Sequence, residues 1–288
     1  MNLTLKKYTG LGNDYLIYDP NKSEGGLTNA HIQLVCNRNF GLGSDGILIG
    51  PLFQDGRISV RIFNPDGSEA EKSGNGLMIF SKYLRDEGYV SGQSVTIETA
   101  GGEVTVDYLD IRSETMRVHM GKVSFWSDDV PVVGERREVV DEPMQFKNKT
   151  LRVTCVTTGI PHCVVPMENI SRDLVCDLGQ RIECAGQFPK RINVDLMHVI
   201  DRGNLAIESF ERGVGYTLSS GSAACAAAAA AYRLGLTDHN VTVHMPGGTM
   251  SARVEDSGEV SIIGYVRAVC EMTMTERDVN NLLSLQEG

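Results

Sequence analysis

The sequence predicts a mixed α+β fold in two similar halves, and three observations lead there. Short runs alternating apolar and polar residues dominate the chain, helix signals are few, and one order of elements occurs twice. Alternation with period two marks a strand with one wet face. In chain order, LTLKKY and YLIYD read as strands, and Thr28 or Asn29 then caps a helix over 28–38. GILIG and ISVRIF follow as strands, and a glycine-containing loop leads into a helix over 76–88. SVTIETA, EVTVDYL and MRVHM complete the first half. In the second half LRVTCVTTG and HCVVP read as strands and 171–184 as a helix. LMHVI and LAIESFE are strands, 221–234 is a helix ending at Gly235, and VTVHM, SARVE and VSIIGYV are the last strands. So many strands with so few helices do not make the regular alternation of a doubly wound parallel sheet.

The repeated order is strand, loop with a serine followed by glycine, helix. ISVRIFN leads through DGSEAEKSGNG into one helix, and LAIESFE leads through RGVGYTLSSGS into another. Ser73 and Ser220 fall in matching places, 147 residues apart. The simplest arrangement has two similar domains, each directing one helix N-terminus into a cleft between them.

Composition narrows the function classes. A chain of 288 residues, 41% hydrophobic and 22% charged, reads as a soluble globular protein with room for two cores. The net charge of −10 and the scattered lysines and arginines offer no basic stripe, so a nucleic-acid partner is not expected. No apolar stretch reaches membrane-spanning length, since AACAAAAAAY is short and alanine-rich, so no membrane partner is expected either. The opening MNLTLKKYTGLGNDYLIYD lacks the continuous apolar core of a signal peptide, and a cytoplasmic location is expected. Seven cysteines form no CxxC pair and leave an odd count, which argues against both a zinc knuckle and a disulfide framework. His162 and Cys163 are adjacent and would point to opposite faces of a strand, so no metal site is assigned. GLGND and GLGSDG lack the full GxGxxG spacing and read as tight turns, and no lysine stands in a pyridoxal-phosphate setting. No cofactor is expected.

Candidate chemistry gathers at the two serine loops. A helix N-terminus presents unsatisfied N–H groups and partial positive charge, so SGNG and SSGS can each hold a carboxylate or stabilise an anion. Serine at such a place is also a frequent N-cap, which explains either loop alone. GIPHCVV places His162 at a strand start, where a buried, hydrogen-bonded histidine is the plainer reading. Arg212 could clamp a carboxylate and Glu211 could meet an ammonium group, although a surface ion pair explains that dipeptide equally. Asn13 in GLGND and Asn64 in FNPDGS read as turn residues that could also bind an amino acid's polar groups.

KYTGLGNDY, FNPDGSEAEKSGNG, GIPHCVV, FPKRINVDLMHV and ERGVGYTLSSGSAACA resemble, in order and spacing, the motifs of the diaminopimelate epimerase family of cofactor-independent amino-acid racemases. The resemblance spans nearly the whole chain. It implies an α+β fold of two pseudo-symmetric domains, each a mixed β-sheet or barrel wrapped around a central α-helix. The implied boundaries are 1–120 plus 266–288 for the N-terminal domain and 121–265 for the C-terminal one, with the last strand returning to the first domain. In that family two cysteines face each other across the substrate's α-carbon, one removing the proton and the other returning it. Their positions fall on Ser73 and Ser220. Cys225 matches a helix cysteine that the family does not use in catalysis. The resemblance also implies substrate contacts from Asn13, Asn64, Asn193 and Arg212, roles for His162 and Glu211 in proton transfer, and α-carboxylate binding by Gly74, Asn75, Gly221 and Ser222. It implies a homodimer and a small amino acid or related acid as partner. The family's Gly-Asn-Pro-His is Gly-Ile-Pro-His here, so Ile160 replaces an asparagine that binds the substrate's far end.

Serine changes the chemistry. A thiol starts near pKa 8.5 and an alcohol near water's value of about 15.7, a gap of roughly 7 units or about 10 kcal/mol. A helix terminus supplies only about 0.3 to 2 kcal/mol. Three readings follow. Serines relay a proton for another base (His162, Glu211 or a water); or both bases of an epimerase have been replaced; or the chain binds an amino acid without turning it over. The separate departure at Ile160 favours the first.

Overall fold

The computed structural model describes residues 2–23, 26–275 and 277–278. The chain divides into two compact units, Met1–Val118 with Tyr265–Gly288, and His119–Gly264. In the first unit the elements are β1 (Asn2–Gly10), β2 (Asn13–Tyr18), α1 (Asn29–Cys36), β3 (Ile47–Gln54), β4 (Arg57–Phe63), β5 (Glu69–Ala70), α2 (Gly74–Asp86), β6 (Ser94–Thr99), β7 (Gly102–Tyr108) and the start of β8 (Thr115–Lys122). The second unit holds β9 (Glu142–Phe146), β10 (Lys149–Thr157), β11 (Pro161–Pro166), α3 (Arg172–Glu183), β12 (Asn193–Asp201), β13 (Asn204–Glu211), β14 (Gly215–Thr217), α4 (Gly221–Arg233), β15 (Asn240–Met245), β16 (Gly248–Val254) and most of β17 (Glu259–Tyr265). The chain then re-enters the first unit as β18 (Arg267–Thr275), antiparallel to β1.

The fold is the sheet-dominated α+β class that the strand pattern predicts, and each unit carries the same topology. In the first, β1 and β2 form an antiparallel hairpin, β2 runs parallel to β3, β3 antiparallel to β4, β4 parallel to β6, and β6 and β7 pair antiparallel. In the second, β10 and β11, β11 and β12, β12 and β13, β13 and β15, and β15 and β16 repeat those five relations in that order. The register repeats too. Leu16 pairs Ile47 and Ile47 pairs Phe63, while Cys163 pairs Val194 and Val194 pairs Phe210. A helix fills the connection between each pair of parallel strands, α1 and α2 in one unit, α3 and α4 in the other.

The central helices are α2 and α4. Residues 74–84 of α2 and 221–231 of α4 are all buried, so neither has the wet stripe of a surface helix. Such a helix must satisfy its end groups locally, and both do so in the same way. Each opens on a serine N-cap and closes on a glycine in the left-handed region, Gly88 at φ 76° and Gly235 at φ 72°. The next amide then reaches back into the last turn, Tyr89 N–H to Leu84 O and Leu236 N–H to Ala231 O, both at 2.9 Å. The helix bodies differ. Leu77, Ile79, Phe80, Tyr83 and Leu84 fill the space around α2, and alanines 224, 226, 227, 230 and 231 stand at the matching positions of α4.

Several sequence expectations shift. The second helix begins at Gly74 rather than 76, because Gly74 and Gly76 read as loop although the Ser73 cap already starts the helix there. The first spans 29–36 with Thr28 as its cap, and His31 reciprocates on the Thr28 amide. β5, β9 and β14 were absent from the alternation reading, and β18 followed only from the resemblance; residues 267–271 are exposed throughout and show no alternation. GLGND is a tight hairpin turn with Leu11 and Gly12 both at positive φ. All seven cysteines are free, with Cys36, Cys155, Cys163 and Cys225 buried. Cys155 and Cys163 are cross-strand neighbours, and their hydrogen bond together with burial pushes the Cys163 thiol well up. Among the described residues no helix is long and apolar enough to cross a membrane.

The girth difference gives a direct test. Ala227→Phe, which copies Phe80 of the twin helix, overfills the second core and is expected to cost about 3 kcal/mol. Ala228→Ser, which copies Ser81 of the twin helix, changes size little and costs less; urea midpoints of both variants check the order.

Candidate active site

The two serine loops reproduce each other in detail. Ser73 caps α2 at φ −146°, ψ 118°, and Ser220 caps α4 at φ −147°, ψ 123°. Ser73 Oγ accepts from Gly76 N–H at 3.1 Å and Ser220 Oγ accepts from Ala223 N–H at 3.3 Å. Gly74 and Asn75 open one helix, Gly221 and Ser222 the other, and all four are buried. The second bond to each hydroxyl differs. Tyr15 donates to Ser73 Oγ at 3.2 Å, whereas Ser220 Oγ meets Ser222 Oγ at 3.2 Å. Cys225 lies further along α4 and is fully buried.

In the first unit Asn13 opens β2, and its Nδ2 donates to Asp45 Oδ2 at 3.1 Å, as does the Asp14 amide at 3.0 Å. Arg38 joins the two carboxylates, with Nη2 at 2.6 Å from Asp14 Oδ1 and 2.7 Å from Asp45 Oδ1. Lys7 Nζ completes the cluster at 2.6 Å from Asp14 Oδ2. Burial alone would push Asp14 up, but the hydrogen bonds from Arg38 and Lys7 outweigh it and hold Asp14 below its ordinary value. Burial pushes Asp45 up, and its bonds from the Asp14 amide and Arg38 only partly offset that. The cluster fixes which atom of Asn13 is committed and leaves its Oδ1 for other partners. Asn64 sits in a turn in which its amide bonds Ser68 O at 2.9 Å and its Nδ2 donates to Ser68 Oγ at 3.0 Å.

In the second unit β11, β12 and β13 bring His162, Asn193, Glu211 and Arg212 together. His162 and Asn193 are register partners on the parallel strands β11 and β12. His162 is only 1% exposed; Nδ1 lies 2.7 Å from Asp195 Oδ2 and Nε2 3.3 Å from Asn193 Nδ2. This is the core histidine of the plainer reading, with both ring nitrogens engaged. Asn193 Oδ1 accepts from the Arg212 amide at 2.7 Å. Glu211 ends β13 half-buried, and its carbonyl accepts from Val214 N–H at 3.1 Å to close the turn. The Arg212 guanidinium is exposed and reaches Lys190 O at 3.2 Å. Ile160 is half-buried just before β11, at the place that Asn13, the first residue of β2, holds in the other unit.

Sequence reasoning missed Asp14, Arg38 and Asp45 in one unit and Asp195 and Ser209 in the other. Asp45 lies in the GLGSDG turn and Asp195 in FPKRINVDLMHV just ahead of the LMHVI alternation, and neither segment marks its carboxylate as the partner of a remote side chain. Among the described residues no group of three or more His, Cys, Asp or Glu could hold a metal ion.

The family described as diaminopimelate epimerase matches residues 5–126 and 154–269. A relative named diaminopimelate epimerase 2 from Nostoc sp. (strain PCC 7120) is 47% identical over 266 residues, 92% of this chain and 93% of the relative. Diaminopimelate epimerase from Caldanaerobacter subterraneus subsp. tengcongensis is 36% identical over 268 residues, 91% and 96% of the two chains. Among solved structures, a hydroxyproline epimerase from Agrobacterium vitis superposes with a TM-score of 0.68 at 13% identity, covering 95% of this chain and 92% of that one. A probable proline racemase from Agrobacterium radiobacter K84 gives 0.69 at 16% identity, covering 95% and 93%. At such identities these two structures establish the fold alone.

The Arg38 bridge can be tested within its own unit. Because Asp14 is held below its ordinary value, its contribution to stability is present above about pH 3.9 and is lost as pH falls through the lowered folded value. Arg38→Leu should raise the Asp14 pKa, read by carboxyl-carbon NMR titration. It should also cost about 1–3 kcal/mol at neutral pH, with the loss shrinking in acid.

Proposed function

Because this chain belongs to the diaminopimelate epimerase family, we propose that it is a cofactor-independent isomerase moving a proton at the α-carbon of an amino acid or related small acid. The observation that carries this is the paired helix tips: two buried helices, two serine caps with the same backbone angles, and hydroxyls 147 residues apart in the same local frame. In this reading the amides of Gly74, Asn75, Gly221 and Ser222 bind the α-carboxylate, and Ser73 and Ser220 stand in the family's two proton-transfer positions. Asn13, Asn64, Asn193 and Arg212 grip the remaining polar groups, the guanidinium as a carboxylate clamp. Serine relays the proton rather than generating a strong base. Of the neighbouring groups, Glu211 or a water supplies that base, since the His162 ring is occupied by Asp195 and Asn193.

One observation favours binding without turnover as a second reading. Each serine oxygen already accepts a backbone N–H, and its other bonded neighbour is a hydroxyl, an arrangement that does not lower an alcohol's pKa by the roughly 7 units separating it from a thiol.

Solvent exchange separates the two. Incubation with amino acids in deuterium oxide should place deuterium at the α-carbon if the chain is an isomerase, seen by mass spectrometry. Tight binding with no label in any substrate favours the binding reading and removes the first. Ser73→Cys combined with Ser220→Cys should raise the exchange rate by at least 100-fold if only the base strength limits it. Ile160 marks the substrate's far end as less polar than diaminopimelate, so Ile160→Asn should tighten diaminopimelate binding about tenfold, measured by calorimetry. A homodimer is part of the same proposal and is checked by light scattering.

A further inference from the structure

We propose that Asp195 is a positioning residue of the second unit's half of the site, setting the direction of a buried chain of hydrogen bonds that ends on the Arg212 backbone. Its functional meaning rests on the reading above, in which the Glu211–Arg212 turn meets substrate. Ser209 Oγ donates to Asp195 Oδ1 at 2.8 Å, and His162 Nδ1 lies 2.7 Å from Asp195 Oδ2. His162 Nε2 then lies 3.3 Å from Asn193 Nδ2, and Asn193 Oδ1 accepts from the Arg212 amide at 2.7 Å. Asp195 is completely buried and His162 and Asn193 nearly so.

The polarity of this chain follows from its two ends. A backbone N–H can only donate, so the Asn193 atom facing Arg212 is the carbonyl oxygen, and the amide nitrogen faces His162. The amide nitrogen also only donates, so His162 Nε2 must be bare and the ring proton sits on Nδ1. A carboxylate is the group that accepts there without offering a competing donor. Every donor in the chain therefore points towards Asp195. Ser209 bonds the carboxylate and not the imidazole, so the three residues are not a nucleophilic triad. One consequence concerns recognition. With one Nδ2 hydrogen given to His162, Asn193 keeps its second Nδ2 hydrogen to present, which suits a carboxylate oxygen.

The test uses the full chain labelled with 15N-histidine. A long-range 1H–15N correlation spectrum at pH 7.5 reports which nitrogen of each ring is protonated, and Gln variants of His31, His119, His198, His239 and His244 leave His162 assigned by elimination. The expected signature for His162 is a protonated Nδ1 and a bare Nε2. A protonated Nε2, alone or with Nδ1, overturns the proposal. The second readout is hydrogen exchange at the Arg212 amide. Asp195→Ala should speed it at least tenfold. Asp195→Asn should stay within threefold of the parent chain, because its carbonyl still accepts from His162 while its NH2 turns to Ser209. Exchange in Asp195→Ala within twofold of the parent chain also overturns the proposal, and Asp195→Leu, which fills the space without an acceptor, should speed exchange as Ala does; if Leu preserves it as Asn does, Asp195 only fills space and the proposal fails. Should Asp195→Ala not fold, the parent tautomer and the Asn variant decide. Neither readout involves turnover, so failure here and failure of the deuterium exchange are distinguishable.

Discussion

A helix buried on every side has nowhere to send the polar groups at its ends except into its own neighbours, and that constraint organises both units. At one end a serine hydroxyl takes up an amide; at the other a left-handed glycine lets the chain fold back on the last turn. The sheet strands surround the helix because its apolar surface has no other cover. The helix tip, with amides left over after the cap is made, is a place where the backbone itself can receive an anion. Structural need and chemical opportunity thus meet at the same serine.

The two units keep this plan while diverging around it. Phe63 pairs Glu69 in the first and Phe210 pairs Tyr216 in the second, so the strand pair that leads to each serine preserves its register. At the start of β2 and β11 they part. Asn13 is held by a carboxylate that Arg38 steadies, whereas Ile160 stands at the corresponding place. Tyr15 reaches Ser73 from β2, and its counterpart His162 turns instead to Asp195. The candidate residues of each unit therefore have their own support, a charged cluster in one and a buried chain of hydrogen bonds anchored on Asp195 in the other.

Much of this was legible in the sequence because it is local. Period-two alternation marks most strands, serine marks the start of both central helices and Gly235 the end of the second, and the strand–loop–helix order betrays the repeat. The supports were not legible, because they join residues remote in sequence. Arg38 meets Asp14 across 24 positions, Asn13 meets Asp45 across 32, and His162 meets Asp195 across 33, with no pattern linking them until strands are paired. The full extent of the repeat was hidden for a different reason. Topology and register survive almost unchanged, but side chains at matching positions, such as Phe80 and Ala227, differ by a whole aromatic ring.

The helix tips also bear on how this chain would meet oxidants and electrophiles. Sulfur is absent from both caps, and the nearest helix cysteine, Cys225, is sealed inside α4. Peroxide or iodoacetamide attacks thiolates, and an uncharged alcohol is inert to both. Reagents that silence a thiol racemase would find no thiol to modify at either tip, and among the cysteines the most accessible to them are Cys184 and Cys270.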